Sequence, residues 1–515
     1  MDGTHADELG GRAGVDALEQ GMSANSAITA PATLGDVGPS RDDLLASRYG
    51  SVFWNCSLTR LERWIFPVCA LASMLLQLKP ILYSSLALPL IVVMSSLCWL
   101  TPTTGFFYIA CAQFLPFPEG TAFNPAQIGV ATWIGVTFLR YRRIDLTGIS
   151  LLWPVLPWLI WHWLVTGEPI YHFNSEYSKA LAYSVIACQQ VNVSKGSYLK
   201  CLLGMSLGTL MAAAAFWAFQ LGLPVDLSTW GGEREGYARL GGVRADAVMI
   251  WPPLLMGCFS MLGIALSAMV SGRYERQIHW LKIAAVAAFF IAIPPLVATM
   301  THGAYAGFAL MAIFVVLVYN RMKRMRLIQK RKSSLTPIVL SMIAILSVVY
   351  LTNAFKTRDR VDALYHYFQE SVDEYGAAAS RTDVWEYSLK TIVKHPLLGV
   401  KFNDDVEDIP PEYFVYGGYL SHNVFLDYGR WTGIPGISAV IFFFFYPLVR
   451  LWRRSDNWRF MGFYLFHFAL LIFWMSLSFQ FYKTFWGYWM LAAMVADREP
   501  VALPFSKRHS ARLKL

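Results

Sequence analysis

The sequence predicts an all-α protein that crosses the membrane many times, with about 12 to 14 transmembrane helices and one helical loop domain. Hydrophobic residues make up 56% of the 515-residue chain and charged residues only 15%. Apolar runs long enough to cross ~30 Å of hydrocarbon recur along the chain. A single long polar stretch, 355–432, interrupts them. This composition excludes an ordinary soluble domain, and no feature indicates contact with nucleic acid.

Breaking the apolar runs at charges, prolines and glycines predicts the individual spans. The predicted spans are 64–78, 81–99, 103–117, 125–139, 147–165, 177–193, 199–222, 247–270, 281–299, 303–320, 336–354, 433–450, 460–479 and 484–497. Several are near or below the ~17-residue minimum for a spanning helix, which is why the predicted count is a range.

The chain divides into a tail, two groups of helices and the polar stretch. Residues 1–58 are rich in Gly, Ala, Ser and Asp without the apolar run of a signal peptide. They predict a disordered cytoplasmic tail, and we expect the first hydrophobic helix to act as the targeting signal. The other predicted parts are transmembrane helices with short loops over 59–354, a periplasmic loop domain over 355–432, and C-terminal transmembrane helices with a basic tail over 433–515.

Clusters of Lys and Arg indicate the orientation. If the basic run 321–332 is cytoplasmic, counting spans also places 140–143, 273–282 and 450–459 in the cytoplasm. Both termini then lie in the cytoplasm, and the loop 355–432 lies on the opposite side of the membrane.

The polar stretch contains two patterns of helical spacing. The first ends before Gly376 and carries the apolar positions Val361, Leu364, Tyr365, Phe368 and Val372. The second begins at Ser380, where the spacing to Asp383 resembles a capping box, and ends before Pro396. Both helices are amphipathic, so we expect them to lie on the membrane surface or to cover a cavity.

His422 is the candidate catalytic residue. A histidine exchanges a proton near neutral pH, and His422 lies just ahead of an apolar run that starts near Ile434. We therefore expect it where lipid meets water, in a position to activate a hydroxyl group. The alternative is an interfacial histidine that is hydrogen-bonded to a carbonyl. Asn423 is expected to orient His422 or to cap the following helix, with Asp427 as a candidate partner.

Three ordered patterns resemble the O-antigen ligase and polymerase superfamily. One resembles an Arg-x-x-x-Trp helix followed by Pro-Leu-x-Gly, one a His-Asn block followed by glycines, and one an Arg-x-x-Gly motif in an earlier loop. Together they cover roughly residues 200–450. The residues are Arg381, Trp385 and His395 to Val400 for the first, Ser421 to Leu426 with Gly433 to Gly436 for the second, and Arg239 to Gly242 for the third.

The resemblance implies a membrane glycosyltransferase of the C type. Members transfer a glycan from undecaprenyl diphosphate on the outer face of the bacterial inner membrane. The acceptor that the resemblance implies is lipid A core in a ligase, a second lipid-linked repeat unit in a polymerase, or a protein hydroxyl. The chain departs from the family pattern at Thr301-His302-Gly303, where many members carry Ser-Arg-Gly, and at Arg244-Ala245-Asp246, where Asp-Pro-Asn is more usual.

The resemblance also implies roles for single residues. His422 would assist the acceptor, and the candidate substrate-binding residues are Arg239, Arg244, Arg381, Asn423 and His302. The alternatives are a solvated loop cation or a lipid-headgroup contact for Arg239 and Arg244, a surface salt bridge for Arg381, and a structural hydrogen bond for His302.

No cofactor and no metal are expected. Arginines can neutralise the diphosphate, there is no Asp-x-Asp pair, and the seven cysteines show no metal-ligand spacing. The expected partners are the lipid-linked glycan, an acceptor saccharide and membrane lipids. The rival hypotheses are a lipid-linked sugar flippase or transporter, a protein O-oligosaccharyltransferase, and a non-enzymatic scaffold. A transporter usually carries ionisable groups at mid-membrane and internal repeats, which this sequence does not show.

Overall fold

The computed structural model describes most of the chain between Leu58 and Arg498. The chain divides into two units, Met1–Gly50 and Ser51–Leu515, and all described residues belong to the second. They are 58–115, 123–144, 146–166, 174–194, 197–225, 233–234, 237–238, 247–271, 275–325, 327, 336–375, 379–400, 414–415, 418–419, 421–454, 457–476 and 483–498. The predicted tail therefore lies outside the described residues, apart from Leu58.

The first half of the chain forms helices α1 to α9. Several begin where the sequence has capping residues: the Thr59 hydroxyl accepts from the Glu62 amide, and Asn124 and Gln127 form a second capping box. The bounds are α1 Arg60–Leu75, α2 Lys79–Leu82, α3 Ala87–Cys98, α4 Pro102–Cys111, α5 Pro125–Tyr141, α6 Leu156–Thr166, α7 Asn174–Ser194, α8 Tyr198–Leu210 and α9 Ala214–Gln220. Two 3-10 helices, Thr147–Val155 and Met211–Ala213, precede α6 and α9.

The second half forms helices α10 to α18. Their bounds are α10 Ala247–Ser271, α11 Glu275–Ala298, α12 His302–Arg324, α13 Thr336–Leu351, α14 Thr357–Tyr375, α15 Ala379–Lys394, α16 Val424–Trp452, α17 Met461–Ser476 and α18 Lys483–Arg498. Two further 3-10 helices are Ala354–Lys356 and Asn457–Phe460. Strand structure among the described residues is limited to two antiparallel pairs, β1 Glu233–Arg234 with β2 Tyr237–Ala238, and β3 Phe414–Val415 with β4 Gly418–Tyr419. The predicted all-α class is confirmed.

Seven helical segments of the described chain are long and apolar enough to cross a membrane. They are Gly148–Val165, Tyr198–Gln220, Ile250–Val270, Arg276–Ala298, His302–Arg324, Val424–Trp452 and Asn457–Ser476. A further span is possible if Val339–Leu351 and Ala354–His366, which meet at a bend of 97°, count as one. The protein is therefore a multi-pass membrane protein, as predicted. Other predicted spans coincide with shorter helices such as α3 and α18, so the count of 12 to 14 stays a prediction.

Helices α12, α16 and α18 share an orientation that defines two ends of the bundle. At the end of their last turns, the Arg321 guanidinium lies 5.8 Å from the Trp458 ring, and Arg450 pairs with Asp497 at 3.4 Å. We call this the basic end. The first turns of the same helices, at His302, Val424 and Lys483, lie at the opposite end, which we call the site end.

The two amphipathic helices predicted in the polar stretch are present as α14 and α15. Helix α15 begins at Ala379, one residue before the predicted start, and ends at Lys394, ahead of Pro396. Helix α16 differs from its predicted span, 433–450, because it begins at Val424 and has a break at Gly433 with φ 71°. The predicted boundary at residue 433 coincides with this break, and the helical turns from Val424 to Thr432 that precede it are an addition to the predicted span.

Candidate functional site

The turn Ser421-His422-Asn423 directly before α16 places His422 in a left-handed conformation. Its φ is 54°, and its side chain is half-buried between two buried neighbours. For a residue with a Cβ this conformation costs roughly 1–2 kcal/mol, and it persists only where the surroundings hold it. The structure must therefore hold this turn from several sides.

Hydrogen bonds from neighbouring elements fix Ser421, the residue before His422. Its backbone N–H donates to Asp427 Oδ1 at 2.8 Å, and its carbonyl accepts from the Trp385 indole N–H at 2.8 Å. Its hydroxyl donates to the Asn423 carbonyl at 3.0 Å and accepts from the Asn423 amide at 3.2 Å. Side chains from α15 and α16 thus occupy both backbone groups that precede His422.

Asn423 caps α16. Its Oδ1 accepts from the amides of Phe425 at 3.0 Å and Leu426 at 3.3 Å, which satisfies two donors at the helix N-terminus. Of the two structural roles expected for Asn423, capping is therefore the one observed. Asp427 is fully buried, and its carboxylate accepts the hydrogen bond from Ser421 that stabilises the turn.

The break in α16 receives a segment from the end of α15. An uninterrupted helix would join the Ile434 amide to the Arg430 carbonyl. Instead, the Ile434 amide donates to the Pro396 carbonyl at 2.8 Å, and the Arg430 carbonyl accepts from the Val400 amide at 2.7 Å. The segment 396–400 is thus inserted at the break, and both of these freed backbone groups find a new partner there.

Two glycines allow this close approach. Gly433 (φ 71°) and Gly399 (φ 66°) both have positive φ values. A Cβ at Gly433 would lie 2.6 Å from the Leu397 carbonyl, and a Cβ at Gly399 would overlap the Arg430 carbonyl oxygen. The Pro-Leu-x-Gly pattern and the glycines after the His-Asn block, which are distant in sequence, are therefore two halves of one interlocked structure.

Helix α6 supports the same break from another side. The Trp161 indole N–H donates to the Thr432 carbonyl at 2.8 Å. The ring of Trp158, one turn earlier, contacts Tyr428 with centroids 5.7 Å apart. Helices α6 and α15 thus both hold the first turns of α16.

His302 lies at the site end, as the first residue of α12, and its side chain is exposed. A Cβ added at the next residue, Gly303, would lie 3.1 Å from the Trp251 ring, and the centroid of this ring lies 6.5 Å from that of Phe473. The neighbouring Trp474 ring lies 6.2 Å from Phe425 in the first turn of α16. Two neighbouring residues of α17, Phe473 and Trp474, therefore contact aromatic rings close in sequence or space to His302 and His422.

The structure describes one of the three candidate arginines. Arg381 is the third residue of α15, one turn before Trp385, so positions 381 and 385 share a helix face that meets the His422 turn through the Trp385 indole. Arg239 follows β2 directly, but Arg239 and Arg244 lie outside the described residues.

Two further arginines lie near the helices that carry the candidate residues. Arg430 is fully buried in α16, with its guanidinium 5.9 Å from the Trp431 ring. A buried charge is costly unless it is compensated. An arginine shortly after the His-Asn block, in a mostly apolar stretch, is therefore a signal in the sequence for a functional residue. Arg360 of α14 donates to the Ala298 carbonyl at 3.2 Å, near the start of α12. The helical pattern predicted for α14 rests on its apolar positions and does not identify this arginine.

The exposed face of α15 carries an ion pair. Lys390 Nζ lies 2.7 Å from a Glu386 carboxylate oxygen, and this hydrogen bond lowers the pKa of Glu386. Glu386 therefore stays ionised at neutral pH and is unsuited to donate a proton. In the described ranges no group of three or more His, Cys, Asp or Glu side chains is placed to hold a metal ion.

The fold and the clamped histidine turn define a multi-pass membrane protein with a candidate active site at one end of its helices. Residues 287–441 match the family model described as O-antigen ligase, which confirms the resemblance predicted from the sequence. The matched segment runs from within α11 into α16, and it includes His302, Arg381 and His422. Over these residues the chain is similar to the O-antigen ligase family, and this match supports a glycosyltransferase-type membrane enzyme of polysaccharide biosynthesis. Comparison with curated proteins gives no match.

Proposed function

We propose that this protein transfers a glycan from undecaprenyl diphosphate to the hydroxyl group of an acceptor saccharide, on the periplasmic face of a bacterial inner membrane. The observation that carries the proposal is the His422 turn, held at φ 54° by the Asp427 carboxylate and the Trp385 indole. A strained residue that several partners hold in place is typical of an active site.

In the proposed reaction, His422 acts as a general base. Its imidazole takes the proton of the acceptor hydroxyl while the oxygen attacks the anomeric carbon of the donor glycan. The bond between that carbon and the diphosphate oxygen breaks, and undecaprenyl diphosphate leaves with the electron pair. The new glycosidic bond joins the glycan to lipid A core in a ligase, or to a second lipid-linked repeat unit in a polymerase.

The departing diphosphate needs positive charge. We propose that Arg239 and Arg381 supply most of it, with Arg244, Asn423 and His302 as further substrate contacts. An arginine in the first turn of a helix opposes the helix dipole, unless the side chain and the helix N-terminus face the same anion. Position 381 has this placement, which favours phosphate binding there over a plain surface salt bridge.

Metal independence follows if arginines hold the diphosphate. The purified full chain, given an undecaprenyl diphosphate-linked glycan and an acceptor saccharide, is expected to release undecaprenyl diphosphate at the same rate with and without EDTA. Loss of activity that magnesium or manganese restores would show that the diphosphate is held by a metal ion. Movement of the donor across the membrane without any release of undecaprenyl diphosphate would support the flippase hypothesis.

The proposed orientation can be tested independently of the chemistry. Reporter fusions after residues 235 and 390 are expected to give periplasmic signals, and fusions after 328 and 455 cytoplasmic signals, because the latter two follow clusters of basic residues. A cytoplasmic signal at 390 would contradict both the orientation and the proposed location of the active site.

A further inference from the structure

A cavity of about 330 Å³ lies at the basic end, between α12, the last turns of α16, and α17 with its preceding 3-10 helix. At 1.5 Å per residue, α12 places its lining residue Arg321 roughly 28 Å from His302. The cavity is therefore remote from the His422 turn, and the proposed reaction does not account for it.

The walls of this basic-end cavity are almost entirely apolar, and its rim faces the side of the bundle. Leu317 and Trp452 are both lining residues, with 63% and 52% of their surfaces exposed. In a multi-pass membrane protein, apolar surface exposed along a spanning helix faces hydrocarbon. A ligand with an apolar chain can thus enter from the bilayer.

Three polar side chains line the cavity at increasing distance from the basic end. Arg321 lies at the basic end beside Trp458, and Tyr464 and His467 follow along α17. Tyr464 Oη and both ring nitrogens of His467 are buried and have no hydrogen-bond partner among the described residues. A buried polar atom without a partner is destabilising, so the Tyr464 hydroxyl favours a ligand that brings a hydrogen-bonding group.

The order of these groups matches one chemical class. We infer that the basic-end cavity binds an anionic glycerophospholipid from the leaflet at that end. Its phosphate contacts the Arg321 guanidinium, an ester carbonyl accepts a hydrogen bond from Tyr464, and one acyl chain extends past Phe468 to Leu471.

The dimensions fit this ligand. From Trp458 to Leu471 the wall covers 13 residues, or roughly 20 Å at 1.5 Å per residue, which suits a single acyl chain. A volume of about 330 Å³ is at the small end of ligand pockets, so the second chain and the headgroup remain outside. Because the guanidinium lies at the rim, the site selects for negative charge at the membrane surface rather than inside the cavity.

Native mass spectrometry of the purified full chain tests this inference with phosphatidylglycerol and phosphatidylcholine as probes. We expect one retained phosphatidylglycerol and a markedly lower occupancy by phosphatidylcholine. Arg321→Gln should lower phosphatidylglycerol occupancy about tenfold, the effect expected from loss of a charge-assisted hydrogen bond. The matched control is Lys323→Gln, since Lys323 is an exposed cation of the same last helical turn that does not line the cavity.

A second variant separates the headgroup from the chain. Tyr464→Phe keeps the ring and removes only the hydroxyl, so it should weaken both lipids by a similar factor. Equal retention of the two lipids by the wild type, or equal losses in Arg321→Gln and Lys323→Gln, would overturn the inference. So would displacement of phosphatidylglycerol by free glycerol phosphate or by undecaprenyl phosphate, because the occupant would then be a soluble phosphate or the glycan carrier.

Discussion

Replacement of His422 by alanine is expected to lower glycan transfer by about 100-fold or more, the usual scale for loss of general acid–base help. The imidazole is proposed to take the acceptor proton, and no other side chain in the clamped turn can exchange a proton near neutral pH. The measurement is release of undecaprenyl diphosphate by the purified variant at saturating donor. His366→Ala serves as the matched control, since His366 is an exposed histidine of α14 outside the candidate site, and it should transfer at the wild-type rate.

His422→Gly distinguishes lost chemistry from lost folding. Glycine adopts positive φ without strain, so this variant should unfold at or above the wild-type temperature while remaining as inactive as His422→Ala. Near wild-type transfer by both variants would remove the catalytic role and favour the scaffold or transporter hypothesis.

Replacement of Gly433 by alanine is expected to destabilise the protein by about 2–5 kcal/mol, combining the cost of positive φ with overlap against a backbone that cannot move aside. The added Cβ would lie 2.6 Å from the Leu397 carbonyl, at the point where segment 396–400 enters α16. Gly399→Ala should have a similar effect from the other side of the same contact. The measurement is the thermal unfolding temperature of each purified variant.

Gly135→Ala is the matched control for these two substitutions. Gly135 also lies within a helix, α5, but a Cβ there would meet no atom within 4 Å. Its unfolding temperature should stay unchanged or rise slightly, because alanine favours helix more than glycine does. If Gly433→Ala unfolds at the temperature of Gly135→Ala, the interlocked break does not contribute to stability.

The sequence predicted α15 well because its limits depend on local signals. A helical apolar pattern identifies the element, and Pro396 ends it regardless of what surrounds it. Its burial and partners depend on other parts of the chain. The Trp385 indole, for example, donates a hydrogen bond to the Ser421 carbonyl, and no local signal identifies Ser421 as its partner.

The break in α16 shows where sequence reasoning reaches its limit. A glycine followed by Ile434, Pro435 and another glycine is equally compatible with two helices and with one bent helix. The choice depends on whether another segment satisfies the freed backbone groups. Here that segment is Pro396 to Val400, and its distance in sequence leaves no local signal. The left-handed conformation of His422 likewise follows from contacts with α15 and α16 rather than from residue type.

The hydrogen bonds around the break close a ring through α15 and α16. The ring runs from Trp385 along α15 to Val400, across to Arg430, back along α16 to Ser421, and returns through the Trp385 indole. Both ends of the stretch 401–420 are therefore anchored to the same rigid unit. Because the entropy of closing a loop rises slowly with its length, insertions there add little cost. Changes in the length of that stretch are therefore expected to leave the geometry of the histidine unchanged.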